Sequence, residues 1–174
     1  MDELDYRYKW VSEQGFIRNY MRVAEFNCGN GRFKDYLPST TTYIANDLYL
    51  RDEQKSDKCY KQISDSEFYE YLTQNYHEYD FDILALFGVG GYEITKEPLE
   101  SSTITNNFVS AVNKLKPKIV VIESVEKFKA ILNTVVEKTN YDVRNIKESN
   151  SGDWLKNRVL MVLERKIERQ TKLK

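Results

Sequence analysis

The sequence predicts an α/β protein whose mostly parallel, seven-stranded sheet is covered by helices on both faces and has one antiparallel strand near an edge. One observation is that short, almost continuously apolar runs alternate with segments of helical spacing. Such runs are typical of parallel strands that are buried on both faces. A second observation is that the last two predicted strands lie too close together in the chain for a helical crossover. They should therefore pair antiparallel.

The composition is typical of a globular protein, and we expect one domain over residues 1–174. Hydrophobic residues make up 41% and charged residues 30% of the chain, and the net charge of -1 gives no overall attraction to nucleic acid. No apolar run is long enough to span a bilayer and no signal-peptide pattern is present, so we expect a cytoplasmic location without membrane contact. Cys28 and Cys59 form no CxxC pair, and we expect no metal site.

The first half of the chain is predicted to hold three strands and the segments that connect them. Residues 1–20 form an N-terminal helical segment with a break near Gly15. Pro38 should end a short helix over 32–37, and Ser64 or Asp65 should cap a helix over 65–72. The predicted strands of this half are 21–26, 42–48 and, more weakly, 58–63.

The second half begins with an apolar strand over 81–87 that runs into a glycine-rich loop, Gly88-Val89-Gly90-Gly91. Apolar residues at helical spacing predict a helix over 104–115, which Pro117 should end. A basic tail is expected over 166–174. The remaining predicted elements are a strand over 118–123, a helix over 125–138, and strands over 141–146 and 158–164.

Two acidic residues mark the ends of the first two strands. Glu25 is followed by a turn that carries Gly29 and Gly31, and then by a segment that could open a helix. Asp47 ends the second apolar run, 18 positions after Gly29. Neighbouring parallel strands bring such ends together, and cofactors of the nucleotide type bind there. The pattern therefore predicts a site for a nucleotide-type cofactor.

The motif and the order of elements resemble the Rossmann-like (class I) S-adenosylmethionine-dependent methyltransferases from about residue 21 to 165. The first motif of that family, E/D-x-G-x-G-x-G, is matched from Glu25 to Gly31, except that Asn27 replaces the first glycine. Asparagine is one of the few residues besides glycine that readily adopts a positive φ, so we expect the turn to be kept. The resemblance implies S-adenosylmethionine as cofactor and S-adenosylhomocysteine as product.

The resemblance also implies a role for each region of the site. Glu25 would hold the loop and reach the amino group of the cofactor through water, and Asp47 would accept both ribose hydroxyls. Asp65, after the third strand, would contact the adenine amino group, and the loop after the fourth strand would face the methionine end. The residues expected to contact the cofactor are Glu25, Phe26, Asn27, Cys28, Gly29, Gly31, Asp47, Leu48, Ser64, Asp65, Phe87 and Gly88.

The expected activity is in-line methyl transfer to an acceptor that the sequence does not identify: a small molecule, a protein or an RNA. Tyr92 and Glu93 are candidates for acceptor contacts, and no catalytic residue is assigned. DNA is disfavoured, because amino-methylating DNA enzymes of this fold carry D/N-P-P-Y/F where this chain has Phe87-Gly88-Val89-Gly90. A homodimer or a partner subunit is expected by analogy, since a small core leaves little room for acceptor recognition.

Two alternatives remain open at this point. The first is a non-catalytic binding or scaffold subunit of the same fold, which Asn27 would favour. The second is a dinucleotide-binding oxidoreductase. Its G-x-G-x-x-G motif needs a third glycine where this chain has Lys34, and this disfavours that alternative.

Overall fold

The computed structural model describes residues 5–29, 32–89, 98–125, 129–149 and 158–167. The strands are β1 (Arg22–Phe26), β2 (Thr42–Asn46), β3 (Tyr60–Lys61), β4 (Ile83–Val89), β5 (Ile119–Val125), β6 (Tyr141–Ser149) and β7 (Arg158–Arg165). The helices are α1 (Tyr6–Ser12), α2 (Asp52–Lys55), α3 (Asp65–Asn75), α4 (Pro98–Leu115) and α5 (Lys129–Lys138), with a 3₁₀ helix over Arg32–Tyr36.

The strands form one sheet in the order β3-β2-β1-β4-β5-β7-β6. Strands β1 to β5 pair in parallel, whereas β7 pairs antiparallel with both β5 and β6. Among the described strands, β7 is therefore the one reversed strand, next to the edge strand β6. This confirms the predicted mixed sheet.

Two apolar cores lie on opposite faces of the sheet. Helices α3, α4 and α5 cover one face, where Phe26 contacts Phe68 and Phe108 at ring-centroid distances of 4.8 and 5.5 Å. Helix α1 and the 3₁₀ helix cover the other, where Phe87 contacts Tyr8 at 4.9 Å and Phe33 at 5.0 Å. Burial on both faces explains why the central strands are apolar at almost every position. None of the described helices is both long and apolar enough to cross a membrane.

Some boundaries differ from those predicted. Strand β2 ends at Asn46, so Asp47 and Leu48 follow the strand, whereas both were predicted to lie in it. Val125, predicted to begin a helix over 125–138, is instead the last residue of β5 and pairs with Arg158, and α5 is described over Lys129–Lys138. The one-turn helix α2 was not predicted at all.

Candidate functional site

The carboxyl ends of the first four strands lie side by side, because β1 pairs in parallel with β2 and β4, and β2 pairs in parallel with β3. The loop 27–29 follows β1, Asp47 follows β2, and Asp65 follows β3 after a short connection. The structure brings these three together at one edge, as the sequence predicted. Three other predicted residues, Gly31, Tyr92 and Glu93, lie outside the described residues.

The loop after β1 turns through two residues in the left-handed conformation. Asn27 has a φ of 50° and Gly29 a φ of 55°. The turn expected of the asparagine is therefore present. The amide of Cys28 donates to the carbonyl of Asn46 at 2.9 Å, and the amide of Gly29 donates to Oδ2 of Asp47 at 2.9 Å. The loop is thus bound to the end of the neighbouring strand β2.

The side chain of Asn27 forms a polar network that a glycine could not form. Its Nδ2 donates to Oδ2 of Asp65 at 2.8 Å, and its backbone amide donates to Oδ1 of Asn46 at 3.1 Å. Asn46 is fully buried, and its Nδ2 donates to Oδ1 of Asp65 at 2.9 Å. Each oxygen of Asp65 thus accepts one amide and keeps a lone pair for a further donor. Burial raises the pKa of Asp65, although the hydrogen bonds from the two amides oppose this shift.

Asn46 lies in the candidate site, and reasoning from the sequence missed it. Its signal was a polar side chain at the end of the apolar run Tyr43-Ile44-Ala45, directly before the acid Asp47. A buried polar side chain in a strand needs hydrogen-bond partners, so its neighbours must be polar too. The polar loop 27–29, which follows the neighbouring strand β1, could have been recognised as the source of such a partner.

The carboxylate of Asp47 is oriented by two backbone donors. Oδ2 accepts from the amide of Gly29, and Oδ1 accepts from the amide of Tyr49, both at 2.9 Å. The side chain of Gln54, from the unpredicted helix α2, donates to the carbonyl of Gly29 at 2.9 Å and so supports the same loop. Leu48 is 52% exposed, which leaves apolar surface beside the acid.

Glu25 is fully buried at the end of β1. The hydroxyl of Tyr43 donates to its Oε1 at 2.6 Å, while its Oε2 has no hydrogen-bond partner among the described residues. Burial raises the pKa of Glu25 to about 8, although the hydrogen bond from Tyr43 and the charge of Arg7 oppose the shift. In the described structure the carboxylate contacts Tyr43 of β2, whereas the sequence predicted that it would hold the loop.

Several predicted contact residues have structural roles. Phe26 and Phe87 place their rings in the two cores, so these side chains pack in the interior. Burial raises the pKa of the Cys28 thiol, which keeps it protonated and unreactive. Ser64 caps helix α3, because its Oγ accepts from the amide of Glu67 at 3.1 Å.

A second charged cluster lies beside Gly88 at the ends of β4 and β5. Glu123 is fully buried, and its Oε1 accepts from Nη1 of Arg7 at 2.8 Å and from Nη1 of Arg158 at 2.9 Å. Gly88 has a φ of 73°, and a Cβ built there would lie 3.5 Å from Nη1 of Arg7 and 3.6 Å from Nη1 of Arg158. The arginines are 116 and 35 positions from Glu123, and nothing in the sequence predicted this pairing.

The network around Asn27 leads to a prediction. Asn27→Gly should lower the free energy of unfolding by about 1–2 kcal/mol, because the variant loses the hydrogen bond to half-buried Asp65. Asn27→Ala should be about 1 kcal/mol less stable still, since alanine is strained at positive φ. Urea unfolding of the three proteins would measure this order. If Asn27→Ala and Asn27→Gly have the same free energy of unfolding, tolerance of a positive φ is not what the asparagine contributes to stability.

No protein-family model matches this sequence, and no curated protein is significantly similar to it. Its fold does match solved structures. The N-methyltransferase NodS from Bradyrhizobium japonicum WM9, in complex with S-adenosyl-L-homocysteine, superposes with a TM-score of 0.67 at 13% identity, over 95% of this chain and 87% of that chain. The E. cuniculi Mtq2–Trm112 complex, which methylates the eRF1 translation termination factor, gives a TM-score of 0.63 at 14% identity, over 95% of this chain and 96% of that chain.

A methyltransferase from Aquifex aeolicus that depends on S-adenosylmethionine gives a TM-score of 0.55 at 11% identity, with 93% of each chain covered. At these identities the likeness concerns the fold. The chain therefore has the Rossmann-like fold of class I methyltransferases, as its motifs indicated.

Proposed function

We propose that this protein, which has the fold of class I methyltransferases, binds S-adenosylmethionine at the carboxyl edge of its sheet and transfers the methyl group to an acceptor. The observation that carries the proposal is the contact between the amide of Gly29 and Oδ2 of Asp47 at 2.9 Å. It joins the glycine-bearing loop and the acid of the second strand, which are the two parts of a nucleoside-type site. NodS, a protein of the same fold, is described in complex with the product S-adenosylhomocysteine.

The polar groups of the site fit this cofactor. Oε2 of Glu25 is buried without a hydrogen-bond partner among the described residues, so it would accept from the ammonium of the methionine end. Each oxygen of Asp47 accepts one backbone amide and has a lone pair left for a ribose hydroxyl. Leu48 would pack on the adenine, and Asp65 would accept from its amino group.

When bound, the sulfonium supplies an electrophilic methyl group for in-line attack by a nucleophile of the acceptor. The protein must align the two reactants and exclude water. The buried rings of Tyr8, Phe33 and Phe87 pack against one another in the core, and Phe87 directly precedes Gly88 on β4. This packing would hold the end of β4 in place beside the methionine end of the cofactor.

Lys34 disfavours a dinucleotide cofactor. It occupies the position of the third glycine of that motif, where close packing of helix on strand requires the smallest residue. Its Nζ donates to Asp57 at 2.9 Å and lies 5.8 Å from the ring centroid of Tyr60. The lysine side chain thus fills this place with an ion pair of its own.

The acceptor belongs to one of three classes, a small molecule, a protein or an RNA, and we propose that a second copy or a partner subunit helps to bind it. Mtq2, which has the same fold, is described as a complex with Trm112 that methylates eRF1. The described part of the chain offers few elements beyond the sheet and its helices for acceptor recognition.

Calorimetry with S-adenosylhomocysteine and S-adenosylmethionine tests the proposed cofactor. We expect saturable binding of both, and no binding of a nicotinamide dinucleotide at the same concentration. No heat of binding at millimolar S-adenosylhomocysteine would overturn the proposal and favour a non-catalytic scaffold subunit.

A further inference from the structure

We propose that Arg7 and Arg158 bind a carboxylate or phosphate group of the methyl acceptor. This inference rests on the proposed function and names the substrate class of the same site. It follows from an imbalance of buried charge beside Gly88, where two guanidinium groups share a single carboxylate.

The geometry of the cluster leaves donors unused. Both arginines direct Nη1 at the same oxygen, Oε1 of Glu123, at 2.8 and 2.9 Å. The Nε atoms of Arg7 and Arg158 are buried and have no hydrogen-bond partner among the described residues. The side chain of Arg158 is only 4% exposed and that of Glu123 is not exposed at all. Two desolvated cations therefore face one anion.

Nearby acidic residues do not supply the second negative charge that the two arginines would need. Glu25 lies within electrostatic range of Arg7, but burial raises the pKa of Glu25 to about 8, so this acid is mostly neutral at pH 7 without cofactor. With cofactor bound, the charge of Glu25 would be matched by the proposed ammonium. Asp5, another buried acid close to α1, accepts from Arg32 at 2.9 Å and from Tyr36 at 3.0 Å. The two guanidinium groups thus share one negative charge, and a bound oxyanion would supply the second.

The cluster also lies where an acceptor must approach. Arg158 pairs with Val125 at the carboxyl end of β5, and Gly88 lies at the end of β4, beside the expected methionine end of the cofactor. The Cζ of Arg7 lies 4.7 and 5.5 Å from the ring centroids of Tyr8 and Phe87, and its Nη2 donates to the hydroxyl of Tyr8 at 2.9 Å. These contacts hold the guanidinium in place, and the side chain keeps 13% exposure. A fixed, planar guanidinium is suited to binding a carboxylate or phosphate.

The test uses the full chain saturated with S-adenosylhomocysteine, and inorganic phosphate and acetate as probes at constant ionic strength. We expect a saturable rise of the melting temperature with either anion, relative to chloride. Arg7→Gln and Arg158→Gln should each weaken this effect at least 10-fold. Arg144→Gln is the matched control, because Arg144 lies on β6 and its Nη1 is 3.9 Å from Glu164, outside the cluster.

Folding does not confound this test, because each arginine variant leaves one arginine paired with Glu123, a balanced pair. Glu123→Gln gives the opposite change: it adds to the surplus of positive charge, so any folded fraction should bind phosphate more tightly than the unmodified protein.

Affinities for the cofactor show whether the arginines bind an anionic group of the acceptor or the carboxylate of the cofactor. Arg7→Gln and Arg158→Gln should bind S-adenosylhomocysteine and 5′-methylthioadenosine, which lacks the amino-acid group, as tightly as the unmodified protein does. A selective loss of affinity for S-adenosylhomocysteine would assign the cluster to the carboxylate of the cofactor and overturn the acceptor proposal. The absence of any saturable anion effect in the complex would overturn it too, while the proposed function would stand. If S-adenosylhomocysteine itself does not bind, both fall.

Discussion

Asp47→Ala should weaken the binding of S-adenosylhomocysteine at least about 100-fold while the protein stays folded. Two hydrogen bonds from ribose hydroxyls to a carboxylate are worth roughly 3 kcal/mol together, which corresponds to a factor of about 100. The variant also removes the acceptor for the amides of Gly29 and Tyr49, which position the loop. Calorimetry gives the dissociation constant, and circular dichroism confirms that the fold is intact.

Two matched variants test whether the loss of affinity comes from the carboxylate of Asp47 itself or from removing any acid nearby. Asp52→Ala removes a carboxylate whose side chain is 98% exposed on the neighbouring helix α2, and it should leave affinity unchanged. Asp47→Asn keeps the shape but turns an amide nitrogen toward one backbone donor, so its affinity should be intermediate. Unchanged binding in Asp47→Ala would show that this carboxylate does not hold the ribose.

The sheet could be predicted from the sequence because a buried parallel strand is apolar on both faces. Strands β4 and β5 are such strands, and their positions were found to within about two residues of the observed ends. Strand β3 was located less well: it is only two residues long, and its side chains are half-buried. The one-turn helix α2 was missed, because a helix this short has no periodicity to recognise.

The arrangement of the candidate site could be predicted only where it depends on residues at strand ends. Asp47, Asp65 and the loop 27–29 meet as expected, because parallel pairing brings those ends to one edge. The side-chain partners could not be predicted. Gln54 contacts Gly29 from 25 positions away, and Arg7 contacts Glu123 from 116 positions away. Contacts of this separation depend on how helices pack over the sheet, which local patterns do not encode.

Asn27 shows how a residue other than glycine can be accommodated in a glycine-bearing turn. The backbone keeps the positive φ that a glycine would have supplied, and the amide side chain gains Asp65 as a partner. Asn46 completes the network from β2. The departure is thus accompanied by polar residues on two other elements, and residues 27 and 29 both have a positive φ.

Glu25→Gln should change the pH dependence of stability more than any other single substitution in the site. The pKa of Glu25 is raised by burial to about 8 in the folded protein, against 4.5 for the ordinary side chain. Between those values the folded state holds a proton that the unfolded state has lost, so stability falls as pH rises through this window and is lowest above pH 8. The glutamine variant keeps an acceptor for Tyr43 and has no charge to bury.

Unfolding in urea at pH 5 and pH 9 measures this difference. The unmodified protein should lose several kcal/mol between the two values relative to Glu25→Gln. Glu53→Gln, which changes an exposed acid on α2, is the control and should follow the unmodified protein. Parallel curves for the protein and Glu25→Gln would mean that Glu25 is ionised throughout this range.

The same carboxyl group should couple cofactor binding to proton release. An ammonium beside Oε2 favours the ionised acid, so binding of S-adenosylhomocysteine below pH 8 should expel a proton, and affinity should rise from pH 6 to pH 8. Calorimetry in two buffers of different ionisation enthalpy counts the released protons. Glu25→Gln should release none and bind at least about 10-fold more weakly at pH 8, because a charge-assisted contact is lost. If Glu25→Gln releases as many protons as the unmodified protein, Glu25 is not the group that loses the proton. The ammonium would then bind elsewhere, and the buried Oε2 of Glu25 would lack its proposed partner.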